Sequence, residues 1–90
     1  MSTDLNARLS AALLQYMEEH DVSQVQVAQL LNRSNAYVWG RLTGRHALSV
    51  DIIGAVAQLA HTPPDRLTGE LALRAASAAA NQPEPGMPQL

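Results

Sequence analysis

The stretch "SQVQVAQLLNRSNAYVWGRLTG", residues 23–44, determines the fold that the chain is expected to adopt. Apolar residues recur in it at spacings of three and four, which is the helical period. Ser23 followed by Gln26 matches a capping box, so the sequence predicts a helix over "QVQVAQLL". The side chains expected to face inward from that helix are Val27, Leu30 and Leu31.

A short turn, "NRS", leads into a second helix. Asn32 tolerates the left-handed backbone of a tight turn, and Ser34 can cap the helix that follows. That helix is predicted from Asn35 to about Thr43, with Gly44 placed to end it. Its apolar anchors are Val38 and Leu42.

Two such short helices must pack against other helices, because neither is stable alone. Joined by so short a turn, they are expected to cross steeply as a helix-turn-helix unit. Ala28 lies where the second helix would cross the first, and only a small side chain allows that close approach.

The remaining chain also predicts helices, so the expected class is all-α. Helix 1 should cover about Leu5 to His20, and Ser49 should cap a helix from Val50 to about Ala60. In "HTPPD", Thr62 is the expected cap and Pro63 the first position of a short fifth helix. Residues 1–70 then form the main domain; residues 71–90 are expected to be an alanine-rich helical extension and a disordered, proline-rich tail.

The length and composition of the chain exclude several classes of protein. Ninety residues suit one small domain, and the absence of cysteine excludes disulfides and thiolate chemistry. We expect a cytoplasmic protein, because no signal peptide or membrane-spanning stretch is evident. The three histidines lack metal-site spacing, and no nucleophile motif or phosphate-binding loop occurs, so neither an enzyme nor a cofactor is expected.

Charge is distributed unevenly along the chain. Eight Asp and Glu oppose six Arg, with no Lys, yet residues 22–50 contain no carboxylate. Arg33, Arg41, Arg45 and His46 lie in that stretch. Because DNA carries a dense negative charge, a DNA-binding face must exclude carboxylates even on an acidic protein. A chance distribution of solvated charges is the alternative explanation.

The motif of residues 23–44, followed by "LSVDIIGAVAQLAHTPPDRL", resembles the five-helix Cro and lambdoid-repressor class of DNA-binding domains. The resemblance covers about residues 5–70. It departs from the class at Asn32, where Gly is usual, and at Arg33 and Arg41, where apolar residues are usual. It implies a lambda-repressor-like fold and a sequence-specific regulator of transcription, such as a small phage or bacterial repressor, that reads the major groove of double-stranded DNA with helix 35–43.

A helical wheel assigns roles on that helix. With Val38 facing the core, Ala36 and Gly40 lie at the centre of the exposed face. Trp39 either contacts DNA or folds back onto the core; Tyr37 is expected to pack. The resemblance places Gln24 and Ser34 at phosphate-contacting positions. The residues expected to read bases are Asn35, Ala36, Trp39, Gly40 and Thr43. Those expected to contact phosphates are Gln24, Arg33, Ser34, Arg41, Arg45 and His46.

Two questions stay open at the level of sequence. The chain could instead be an antitoxin or accessory module whose alanine-rich segment docks on a protein partner. In that segment Leu67, Leu71, Ala75 and Ala78 form one helical stripe. The stripe could support a weak homodimer or pairing that occurs only on DNA, or it could cover the core of its own domain.

Overall fold

The computed structural model describes residues 5–81, and these form five α-helices and no strand. The helices are α1 (Leu5–Glu19), α2 (Gln24–Leu31), α3 (Asn35–Leu42), α4 (Val50–Leu59) and α5 (Pro64–Asn81). The predicted all-α class is confirmed. The tail that was expected to be disordered lies outside the described residues. No helix among them is long and apolar enough to cross a membrane.

Local side-chain chemistry sets the ends of α2 and α3 as predicted. The Ser23 hydroxyl accepts from the Gln26 amide at 3.1 Å, and the Gln26 side chain accepts from the Ser23 amide at 2.8 Å, which completes the capping box. Asn32 ends α2 in the left-handed conformation with φ of 56°. Gly44 follows α3 with φ of 82°, a value that favours glycine.

The core lies between all five helices and consists mainly of small and branched aliphatic side chains, with Tyr16 and Met17 also buried. Its fully buried members include Leu13, Val27, Val38, Leu42, Ile52, Val56, Leu67 and Leu71. Ala28 is also buried, in agreement with the close packing predicted for α2. Leu30 was expected to face inward but is 40% exposed, because Val27 and Ala28 occupy the inward arc of α2.

The C-terminal region differs from the expected short helix followed by a separate alanine-rich segment. One helix of 18 residues, α5, runs through both, so the boundary placed at residue 70 lies within it. Leu67, Leu71 and Ala75 are buried in the core at 0%, 1% and 1% exposure. Three of the four residues of the stripe therefore cover the chain's own core, and the fourth, Ala78, is exposed.

The start of α5 also differs from the sequence prediction. The Thr62 hydroxyl lies 2.8 Å from the Tyr16 hydroxyl and donates to the Ala60 carbonyl, so Thr62 does not cap α5. The Pro63 carbonyl instead accepts the first helical bond, from the Leu67 amide at 3.0 Å. Thr62 thus ties the turn before α5 to α1.

Arg74 joins α5 to α1. Its guanidinium group contacts Glu19 at 2.7 Å and Glu70 at 2.8 Å. The hydrogen bond from Arg74 lowers the pKa of Glu19, and the same bonds raise the pKa of Arg74. Because both carboxylates are exposed, this network orients α5 more than it stabilises the fold.

Leu71 and Leu73 offer a matched pair that tests the role of α5. Replacing Leu71 with Ala should lower the free energy of unfolding by about 2–5 kcal/mol, because it opens a cavity in the core. Replacing Leu73, which is 70% exposed on the same helix, should change it by less than about 0.5 kcal/mol. Urea denaturation followed by circular dichroism measures both. Equal effects would contradict the packing of α5 described here.

Candidate nucleic-acid interface

Helix α3 buries one side and exposes the other. Val38 and Leu42 are buried at 0% and 1% exposure, while Asn35, Ala36 and Trp39 are exposed. We call the exposed side of α3, with the turn before it and the loop after it, the α3 face; it comprises residues 33–36, 39, 40, 43, 45 and 46. Trp39 is 50% exposed, so its ring is available to a ligand and is not part of the core.

The N-terminus of α3 is held by two polar side chains. The Ser34 hydroxyl accepts from the Tyr37 amide at 3.1 Å and caps the helix. The Gln24 side-chain amide donates to the Asn35 carbonyl at 3.2 Å and so links the first residues of α2 and α3. Both side chains therefore position the turn, while the exposed side chain of Asn35 makes no hydrogen bond to another described residue.

Gly40 does not form an open centre of the α3 face, and this prediction was wrong. Gly40 is buried, because the imidazole of His46 lies over it. A Cβ atom placed on Gly40 would lie 2.9 Å from His46 Cδ2 and 3.6 Å from Nε2. Any side chain at this position would have to displace the ring. The surface expected from Gly40 is therefore supplied by His46.

The loop that carries His46 is fixed by contacts from two helices. The His46 amide donates to the Gly40 carbonyl at 3.0 Å. Asn6 of α1 accepts from the Leu48 amide at 2.7 Å and donates to the His46 carbonyl at 3.4 Å. Arg41 donates to the Ala47 carbonyl at 2.9 Å. These bonds hold successive residues of the loop against α3 and α1.

Arg41 was predicted to contact phosphate, but its side chain mainly makes contacts within the fold. Its side chain is half-buried and donates to the loop carbonyl of Ala47, and its own carbonyl accepts from the Ser10 hydroxyl at 3.0 Å. The guanidinium carbon lies 4.9 Å from the centre of the Tyr37 ring. These contacts reduce the freedom of Arg41 to meet a phosphate.

Arg33 stacks on the same ring, at 4.4 Å from its centre. The Tyr37 hydroxyl donates to the Asp51 carboxylate at 3.0 Å. The Ser49 hydroxyl also bonds Asp51 and lowers its pKa most, and Tyr37, the Ile52 amide and the charge of Arg33 act in the same direction. Tyr37 thus packs as predicted and also carries a polar network at one flank of the α3 face.

Asp51 places a carboxylate beside the arginines that stack on Tyr37, although residues 22–50 contain no carboxylate. Its negative charge is engaged by Ser49 and Tyr37. Arg33, Arg41 and Arg45 form no ion pair within 4.0 Å with any described residue. Arg33 and Arg41 both lie over the Tyr37 ring, so two guanidinium groups accompany the one carboxylate on this flank.

The remaining predicted residues are exposed around α3. The Thr43 hydroxyl donates to the Trp39 carbonyl at 2.8 Å, so its proton is used within the helix and its oxygen remains an acceptor. Arg45 is exposed, and its guanidinium group makes no hydrogen bond to a described residue. Among residues 5–81 no group of three or more His, Asp or Glu is placed to hold a metal ion.

Two residues important to this surface were not found from the sequence. Asn6 lies forty residues before the loop that it holds, and no local pattern marks it. Asp51 lies fourteen residues after Tyr37, and no local pattern links the two side chains. The packing of another group on Gly40 could have been suspected from the sequence. Glycine inside a helix lowers its stability by about 1 kcal/mol, and its presence there suggests the close approach of another group.

Comparisons of the chain with models of protein families, with curated proteins and with solved structures found no match. The resemblance to the Cro and lambdoid-repressor class therefore stays a prediction from the residues.

Replacing Asp51 with Asn tests the network beside Tyr37. The pKa of Asp51 in the folded state lies below its usual value. Its ionised form therefore stabilises the fold above the unfolded pKa of about 3.9, and this stabilisation is lost as the pH falls through the folded pKa. The variant should melt at a lower temperature than the parent at pH 7, and the difference should shrink at pH 2–3.

The control is Glu18→Gln, which removes an exposed carboxylate that has no hydrogen bond from a described side chain. It should change the melting temperature little at either pH. A difference for Asp51→Asn that persists unchanged down to pH 2 would contradict the network.

Proposed function

We propose that the chain is a sequence-specific double-stranded DNA-binding protein of the helix-turn-helix type that regulates transcription. In this proposal α3 enters the major groove as the second helix of a lambda-repressor-like unit formed with α2. The observation that carries it is the α3 face itself. An eight-residue helix exposes Asn35, Ala36 and Trp39 and is flanked by arginines that no described carboxylate neutralises.

The residues of the α3 face divide into those that would contact bases and those that would contact phosphates. Asn35 has a free amide and can form the paired hydrogen bonds that distinguish adenine in the major groove. Arg33 and Arg45 lie before and after α3, where the phosphates on either side of a groove would lie. Ala36 is small and allows close approach. Trp39 can contact a thymine methyl group or a sugar.

The α3 face also favours DNA over a protein partner as the ligand. Leu67, Leu71 and Ala75 of the apolar stripe are buried in the core, so the stripe offers little surface to a second copy or to a protein partner. Cro-like DNA-binding units usually bind paired half-sites. A homodimer of this chain is accordingly a prediction. It would have to form through a surface other than the buried side of α5. Such a regulator would act in the cytoplasm of a bacterium or of a phage host.

Arg45 and Arg66 provide a matched test of the basic surface. Both are exposed arginines, but Arg45 follows α3 and Arg66 lies on α5. The probe is the duplex most enriched from a random double-stranded library by the parent protein, with binding measured by fluorescence anisotropy between 50 and 300 mM salt. Arg45→Ala should weaken binding to this duplex and to a scrambled one alike, and reduce the log–log salt slope by about one.

Arg66→Ala should leave both affinity and slope near those of the parent. If Arg45→Ala also leaves both unchanged, the basic surface has been assigned wrongly. If the parent enriches no duplex from the library, the proposed function is wrong.

A further inference from the structure

We propose that His46, rather than any residue of α3 at that position, reads a base pair at the centre of the α3 face. This inference rests on the proposed function and adds a specificity residue to it. The observation behind this proposal is that the His46 ring packs on Gly40. The point of α3 opposite the buried Val38 has no side chain of its own and is occupied by the imidazole.

The backbone that carries the ring is held in place before any ligand binds. The His46 backbone is bonded on one side to the Gly40 carbonyl and on the other to Asn6. The next residues, Ala47 and Leu48, are bonded to Arg41 and Asn6. A side chain with two rotatable bonds on a held backbone loses little freedom on binding, which favours affinity and specificity.

The ring is also chemically available. His46 is exposed, and neither ring nitrogen forms a hydrogen bond with another described residue. Its Cδ2 edge lies against Gly40, so Nδ1 and Cε1 lie on the opposite edge of the ring, away from α3. Either protonation state of an imidazole keeps at least one N–H donor. The ring can therefore donate to an acceptor presented in front of the α3 face.

The location determines which acceptor this is. A recognition helix lies in the major groove, so a side chain seated on its exposed side can reach base edges. Contacts to base edges give specificity, whereas contacts to phosphates position the protein. On the groove floor, guanine presents two neighbouring acceptors, N7 and O6. We infer that His46 donates to guanine, and that the phosphate contact predicted for it from sequence belongs to Arg45 and Arg33 instead.

The test compares base preferences of the parent, His46→Ala and Gly40→Ala, using sequencing after selection from the random duplex library. His46→Ala should reduce the preference for guanine at one position of the half-site by about tenfold and leave the other positions unchanged. Gly40→Ala puts a methyl group where the ring lies and should reduce the preference at that same position.

Melting temperatures of both variants show whether the fold survives; if Gly40→Ala does not fold, His46→Ala decides alone. Asn35→Ala is the control and should affect a different position. A uniform loss of affinity in His46→Ala, with base preferences intact, would make His46 a phosphate contact and overturn the inference. Unchanged affinity and preferences would also overturn it. Both results leave the proposed function standing, which fails only if the parent enriches no duplex.

Discussion

The burial of Val38 and Leu42 is the constraint on which the α3 face depends. An eight-residue helix is not stable alone in water, so α3 keeps its place only because these side chains enter the core shared with α1, α2, α4 and α5. Burying two such side chains contributes about 1.5–3 kcal/mol each. Their direction also decides which residues are left outside. Loss of either anchor would release the helix and disperse the polar groups on its other side.

Features that depend on a few neighbouring residues could be predicted from the sequence. Ser23, Asn32 and Ser34 act within one turn of their own positions, and each adopts the predicted role because capping and left-handed turns are local chemistry. The burial of Val38 and Leu42 followed from helical periodicity alone. The exposure of Asn35 and Ala36 was predictable in the same way.

Features that depend on distant parts of the chain could not be predicted in this way. A helical wheel treats α3 in isolation, so it placed Gly40 in the open and missed the loop that folds His46 back over it. It gave no reason for Arg41 to bind the carbonyl of Ala47. The stripe on α5 illustrates the same limit. Periodicity identified an apolar side of the helix, but only the tertiary structure shows that its own core covers that side.

The most direct test of the central claim, that the α3 face binds DNA, is a titration of ¹⁵N-labelled protein with a duplex recovered from the random library, followed by two-dimensional NMR. The account predicts that the largest shifts of backbone amides fall at Gln24 and within residues 33–46, and that the amides of residues 68–78 on α5 stay unchanged. Shifts concentrated on α5 or on the C-terminal half of α1, with α3 unaffected, would contradict it.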